Sequence, residues 1–359
     1  MKPNFTLFYT SFLISHILQS EGRQLRVLVV DDSAFMRKII TDILSSDSEL
    51  NVVGTAFDGV DAIRKVTTLH PDVMTLDVAM PRMDGLETLK FIMDHNPLPI
   101  VMVSSTTREG TETTLKALEY GAIDYVTKPS GEVSLNMGDV KNDLITKIKN
   151  ARNAKLIKHR QMIYEPIQHK QEFKSKVILI GASTGGPQAL EGILTKLPED
   201  IPPILMVQHM PAGFTRSFAE RLKHLCKFEV KEAEEGDNIV ARRALLAPGG
   251  FHMTVGRDER THLNTEPAIH GVRPAVDPMM ETAARVYLFK TIGVILTGMG
   301  TDGALGMKTV KNCGGTTIAQ DEVTSTIFGM PKAAIEEGCV DETLPISEIP
   351  QEIVRKCQT

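Results

Sequence analysis

Short apolar runs alternate with helix-patterned stretches along most of this chain, and the alternation occurs in two separate blocks. In the first, "RVLVV" (26–30), "NVVGTA" (51–56), "VMTL" (73–76), "IVMV" (100–103) and "IDYV" (123–126) each precede a helical pattern. In the second, "KVILI" (176–180), "PILMVQ" (203–208) and "TIGVILT" (291–297) have the same character, with helices expected after Gly186, Phe214, Asp277 and Asp302. A strand that is apolar throughout is buried on both faces, and a helix after it carries the chain back over the sheet. The pattern predicts an α/β chain: an N-terminal (βα)5 unit with a parallel sheet, then a doubly wound, mostly parallel C-terminal unit. One stretch departs from it. "FHMTVGRDERTHLNT" (251–265) alternates around a "GRDE" turn and predicts a β-hairpin.

With 359 residues, two or three domains are expected. We divide the chain into an extension (1–23), a first domain (24–143), a linker (144–175) and a second domain (176–359). The linker contains "NAKLIKHRQMIYEPIQHKQEFKS" (153–175), rich in Lys, Gln and His and weak in apolar periodicity. In the extension, "FTLFYTSFLISHIL" (5–18) has the look of a signal-peptide core but is interrupted by polar residues and lacks an A-x-A-like cleavage site. It is too short and polar to span a bilayer, so we expect a poorly ordered segment, with neither export nor stable membrane insertion.

Apolar residues make up 42% of the chain and charged residues 24%, as in globular proteins, and the net charge of −5 speaks against nucleic acid as a partner. Cys226, Cys313, Cys339 and Cys357 form neither a CxxC nor a Cys/His cluster, so no zinc site or disulfide framework is expected. A reducing, cytoplasmic compartment fits.

In parallel sheets, ligands gather beyond the carboxyl ends of the strands. In the first block those ends carry Asp31 and Asp32, Asp77, Ser104 and, just beyond the fifth run, Lys128. Any one of them alone reads as a helix cap or a solvated strand end; five together point to a site. Three neighbouring carboxylates repel one another unless a cation intervenes, and Mg²⁺ suits such an oxygen-rich site. Asp77 can then attack a phosphoryl donor, with Lys128 pairing the added charge and Ser104 donating a hydrogen bond.

"VLVVDDSAFMRK", "LDVAMPRMDGLE", "VMVSS" and "YVTKP" resemble the receiver domain of bacterial two-component response regulators. The resemblance implies phosphorylation of Asp77 by a histidine kinase, Mg²⁺ on Asp31, Asp32, Asp77 and the Ala79 carbonyl, and phosphoryl sensing by Ser104 and Lys128. The Lys128–Pro129 bond is a candidate for the cis form.

The second block opens with "GASTGG" (181–186), a glycine-rich loop between a strand and a helix. It matches neither G-x-x-x-x-G-K-[ST] nor G-x-G-x-x-G, and Pro187 follows in place of a lysine. From this stretch alone, a plain tight turn and a serine nucleophile stay equally open. "LMVQHMPAGFT" places His209 past another strand, and "VILTGMGTDGA" places Asp302 in a second glycine-rich loop. Ser183, His209 and Asp302 would meet at one sheet edge as nucleophile, base and orienter. Backbone N–H groups of "GMG" (298–300) can face an oxyanion.

These stretches, with "LLAPGG" and "RPAVDPMMETAA", resemble the catalytic domain of the chemotaxis methylesterases, the CheB family. The resemblance implies Ser183 as nucleophile, His209 as base and Asp302 as third member. It also implies the Met299 N–H as oxyanion donor and Thr184 as a supporting neighbour, with no cofactor for ester hydrolysis. Arg273 and Asp277 in "RPAVD" receive no chemistry. A receiver joined to this domain implies phosphorylation-activated removal of glutamyl methyl esters from methyl-accepting chemoreceptors, with deamidation of receptor glutamines, driven by a chemotaxis histidine kinase. The alternatives, a receiver-controlled phosphate- or nucleotide-binding module or a DNA-binding output domain, lack a placed lysine or a helix-turn-helix signal.

Overall fold

The computed structural model describes residues 23–105, 107–128, 137–156, 167–169 and 171–359. Nearly all of the N-terminal extension, the Lys128–Pro129 bond and part of the linker lie outside the described residues. Among the described residues, no helix is long and apolar enough to cross a membrane.

The first sheet contains β1 (Leu25–Val30), β2 (Leu50–Ala56), β3 (Val73–Asp77), β4 (Ile100–Ser104) and β5 (Asp124–Thr127) in the order 2-1-3-4-5. Every pairing is parallel. Strand order reverses between β1 and β3, and a crevice opens beyond the carboxyl ends at such a reversal. Asp31 and Asp77 come from those two strands. The fully apolar reading of the central runs holds: every residue of β3 and β4 is buried.

The second sheet is also parallel. It contains β6 (Val177–Ala182), β7 (Ile204–Gln208), β8 (Glu229–Glu232), β9 (Arg243–Leu246), β12 (Thr291–Ile295), β13 (Thr316–Gln320) and β14 (Glu342–Leu344). Their order is 14-13-12-6-7-9-8. The expected hairpin is present as β10 (His252–Val255) and β11 (Thr261–Asn264). The first strand of this sheet in sequence, β6, lies between β12 and β7, which brings the three loops after these strands side by side. Helices follow where the sequence places them, at Gly186–Leu194, Phe214–Leu225, Val276–Tyr287 and Ala304–Asn312.

Four strands escape the apolar-run reading: β8, β9, β13 and β14. β8 ("EVKE") and β14 ("ETL") are short and lie at the two edges of the sheet. Edge strands carry charge because an unpaired apolar edge invites aggregation, so they leave no apolar run to find. The helix Met137–Ala151 continues past residue 143, where the sequence reading ends the first domain. Its apolar stripe of Leu144, Ile148 and Ala151 is buried against Val27, Val29, Val101 and Val103 of the first sheet. That stripe is narrow and set among lysines and asparagines.

The two halves pack against each other. Tyr125 stacks on Phe214, with ring centroids 4.3 Å apart. Gln188 donates to the Leu118 carbonyl at 2.5 Å. Arg221 bridges Glu119 of the first half and Glu191 of the second, at 3.0 and 3.1 Å.

Candidate active site

Ser183 is pinned from both sides. Its N–H donates to the Thr297 carbonyl at 3.0 Å, while its own carbonyl accepts from Gly186 N–H at 2.7 Å and from Gln208 Nε2 at 3.0 Å. Gly185, with φ of 76°, makes the turn into the next helix in a conformation that a side chain would strain. Gly298 permits the second loop to approach: a Cβ there would stand 2.8 Å from the Ser183 Cβ. The Gly298–Met299 segment therefore lies against the serine. The Gly298 carbonyl is taken by Gly329 and Met330 N–H, at 3.0 and 2.9 Å. The neighbouring Met299 N–H makes no hydrogen bond among the described residues, which leaves it free for a developing oxyanion.

His209 follows β7 and donates its backbone N–H to Ala182, the residue before the serine, at 3.2 Å. Its Nε2 lies 2.7 Å from Asp302 Oδ2. Asp302 is buried and also accepts the N–H groups of Val276 at 2.6 Å and Asp277 at 3.0 Å. Burial pushes its carboxyl upward, but the bond to His209 and the two N–H groups outweigh it and hold the group below the ordinary carboxylate range. An ionised carboxylate only accepts, so Nε2 carries the imidazole proton and Nδ1 is the basic nitrogen. Ser183, Thr184, His209, Met299 and Asp302 line one cavity of about 290 Å³. The hydrogen bonds that hold Ser183 run through its backbone. The arrangement can carry out nucleophilic acyl transfer, with serine, base, orienter and oxyanion donor on one sheet edge.

Asp277, to which the sequence assigns no chemistry, holds this edge together. Its Oδ1 accepts from Gly303 N–H at 2.9 Å and Gly306 N–H at 2.7 Å, fixing the turn that carries Asp302. Burial, reinforced by the Asp302 charge, pushes the Asp277 carboxyl up to about 6. A carboxyl raised by folding contributes stability below its unfolded value of 3.8 and loses it as pH rises through about 6. Asp277→Asn removes that titration. Its stability relative to the parent, measured by urea midpoint, is expected to rise between pH 4 and 6 and stay level above. A difference independent of pH would contradict the assignment.

At the first sheet, Asp31 and Asp77 are buried and Asp32 is exposed, with one carboxylate oxygen from each lying within 4.8 Å of the others. Lys128 Nζ stands 3.0 Å from Asp31 Oδ2 and 2.8 Å from Asp77 Oδ2. Burial above all, with help from the Asp31 charge, pushes the Asp77 carboxyl upward despite Lys128. Burial alone would lower the Lys128 ammonium, but the two carboxylates outweigh it and raise it. The three carboxylates form an all-oxygen donor set, which fits a hard dication such as Mg²⁺. Ala79 is exposed, and its N–H reaches Asp77 Oδ1 at 3.4 Å. Ser104 is buried at the end of β4, with its hydroxyl 3.2 Å from the Ser105 and Gly110 carbonyls, to which it donates.

Residues of the first half also line the catalytic cavity, among them Asp124, Tyr125, Asp143 and Lys147. The Thr184 hydroxyl donates to Asp124 Oδ2 at 2.5 Å, a direct bond from the serine loop to the first domain. Lys147 Nζ reaches Asp143 Oδ2 at 3.0 Å, Asp124 Oδ1 at 3.6 Å and the Tyr125 carbonyl at 2.7 Å. The Asn150 amide meets the Met299 sulfur. The sequence held one signal for this contact: Asp124 is an acid inside the otherwise apolar run "IDYV".

Residues 178–353 match the family model described as CheB methylesterase, and residues 27–137 match the response regulator receiver domain. A protein-glutamate methylesterase/protein-glutamine glutaminase from Pyrococcus abyssi is 53% identical over 345 residues, covering 93% of this chain and 94% of that protein. The chain belongs to the CheB methylesterase family. A relative of the same name from Halalkalibacterium halodurans is 50% identical over 342 residues, covering 93% of this chain and 99% of that one. The crystal structure of the Thermotoga maritima CheB methylesterase catalytic domain is similar at 46% identity and TM-score 0.49, over 51% of this chain and 98% of that one. The expected architecture, a five-stranded receiver sheet joined to a parallel CheB sheet, is the one observed.

Proposed function

We propose that this chain is a cytoplasmic, phosphorylation-activated serine hydrolase that removes methyl esters from glutamyl side chains of chemoreceptors and deamidates receptor glutamines. The observation that carries the catalytic part is the 2.7 Å His209–Asp302 contact, in one cavity with Ser183 and beside an unbonded Met299 N–H. Ser183 Oγ attacks the glutamyl carbonyl while His209 Nδ1 takes its proton. The resulting oxyanion faces the Met299 N–H. The imidazolium, steadied by Asp302, returns the proton to the leaving group, releasing methanol from an ester or ammonia from an amide. Water then attacks the acyl-serine with the same base, giving glutamate and free Ser183. Both substrates pass through one acyl-enzyme.

Control comes from the receiver. Asp77 accepts a phosphoryl group from a chemotaxis histidine kinase; Asp31, Asp32, Asp77 and the Ala79 carbonyl would hold Mg²⁺ beside it. Bound there, the ion offsets negative charge on the phosphoryl group. Phosphorylation adds about −1.5 to −2 charge, around which Lys128 and Ser104 rearrange. Lys128 now spans Asp31 and Asp77, so its ammonium is the first group to feel the change. Before phosphorylation, the Asp124–Thr184 and Asn150–Met299 contacts keep the receiver over the catalytic cavity. Phosphorylation weakens that closure, a shift from covered to open populations.

The test is methanol release from methylated receptor membranes. The unsubstituted enzyme is expected to release methanol and Ser183→Ala essentially none. A chain that binds the membranes yet releases no methanol would refute the reading.

A further inference from the structure

Arg273 lines the cavity that holds Ser183, His209 and Asp302. Its NH1 group donates to the carbonyls of Thr265 at 2.8 Å and Glu266 at 2.9 Å, which ties the guanidinium to the segment leaving the hairpin. Its Nε is buried with no hydrogen-bond partner. Among the described residues, no carboxylate pairs with it. Arg221 is neutralised by Glu119 and Glu191 and Arg243 by Glu229, while the half-buried Arg26 and Arg37, like Arg273, rest on backbone carbonyls. Among these arginines Arg273 differs in lining the cavity and in its buried, partnerless Nε. Two backbone carbonyls orient a guanidinium but carry no charge to offset it. An arginine stays ionised at any working pH, so a buried, unpaired Nε–H is costly until an anion reaches it.

We propose that Arg273 is a substrate-binding residue that pairs with a carboxylate side chain next to the scissile glutamyl group, so that the site selects acidic polypeptide segments. This rests on reading the site as a glutamyl hydrolase. The reacting ester or amide is itself neutral, and its oxyanion faces the Met299 N–H. The anion at Arg273 is therefore a second group of the substrate. A planar guanidinium held in place suits a carboxylate, through charge-assisted hydrogen bonds that a lysine would reproduce only in part.

The test uses the full chain with a phosphodonor and Mg²⁺, acting on two receptor cytoplasmic fragments. Each carries one glutamyl methyl ester, flanked by glutamates in one fragment and by serines in the other. The unsubstituted enzyme is expected to favour the acidic fragment in kcat/KM by about tenfold or more, mostly through KM. Arg273→Gln is expected to remove that preference by slowing the acidic fragment only, and Arg273→Lys to restore part of it. Equal loss on both fragments, or an unchanged preference in Arg273→Gln, overturns the proposal. So does an unsubstituted enzyme that hydrolyses both fragments equally, a result that does not depend on the variant folding. If the unsubstituted enzyme releases no methanol from either fragment, the hydrolase reading itself fails, and the proposal with it.

Discussion

Ser183→Ala lowers methanol release by on the order of 10³-fold or more, while receptor binding is kept. The size follows from the role: without Oγ there is no acyl-enzyme, and only the oxyanion donor and bound-state positioning remain. The substitution is also clean. The bonds that shape the loop run through the backbone of Ser183, to Thr297 at 3.0 Å and from Gln208 at 3.0 Å, and none uses the hydroxyl. The loss therefore reports the nucleophile and not the fold. His209→Gln should cost a comparable factor. Asp302→Asn should cost less, because Asp302 orients the imidazole and does not attack. Near-normal turnover in Ser183→Ala would remove Ser183 from the chemistry.

Asp77→Asn abolishes stimulation by acetyl phosphate with Mg²⁺ and leaves the basal rate in place. Couplings between regulatory and catalytic sites commonly amount to about 5- to 150-fold, and all of that factor is expected to vanish. The asparagine keeps the side-chain size and an oxygen for Lys128, which also retains Asp31 at 3.0 Å. The unphosphorylated packing is therefore preserved, while the attacking carboxylate is gone. Initial rates of both proteins with and without phosphodonor decide it; a variant that still responds fully would exclude Asp77 as the acceptor.

The sequence made the candidate site legible because its parts obey one rule: polar residues at the carboxyl ends of buried parallel strands. Ser183, His209 and Asp77 each stand at or just past such an end. Asp302 was found the same way, in the loop after β12. What stayed hidden acts through the backbone or across the halves. Asp277 works by accepting two glycine N–H groups, and no motif in side-chain letters spells that role. Asp124 sits within an apolar run, so its reach to Thr184 became visible only when the domains were placed together. The edge strands β8 and β14 carry charge in place of an apolar run, and alternation could not find them.

If the receiver closes over the catalytic cavity, removing it raises the basal rate. Methanol release by residues 152–359 is measured beside that of the unphosphorylated full-length enzyme, on the same methylated receptor. Removing the receiver takes away Asp124, Tyr125, Lys147 and Asn150 from around Ser183 and Met299. The catalytic fragment should then be faster than the full-length enzyme and indifferent to phosphodonor. A fragment no faster than the unphosphorylated full-length enzyme would contradict closure and point to a receiver that completes the site.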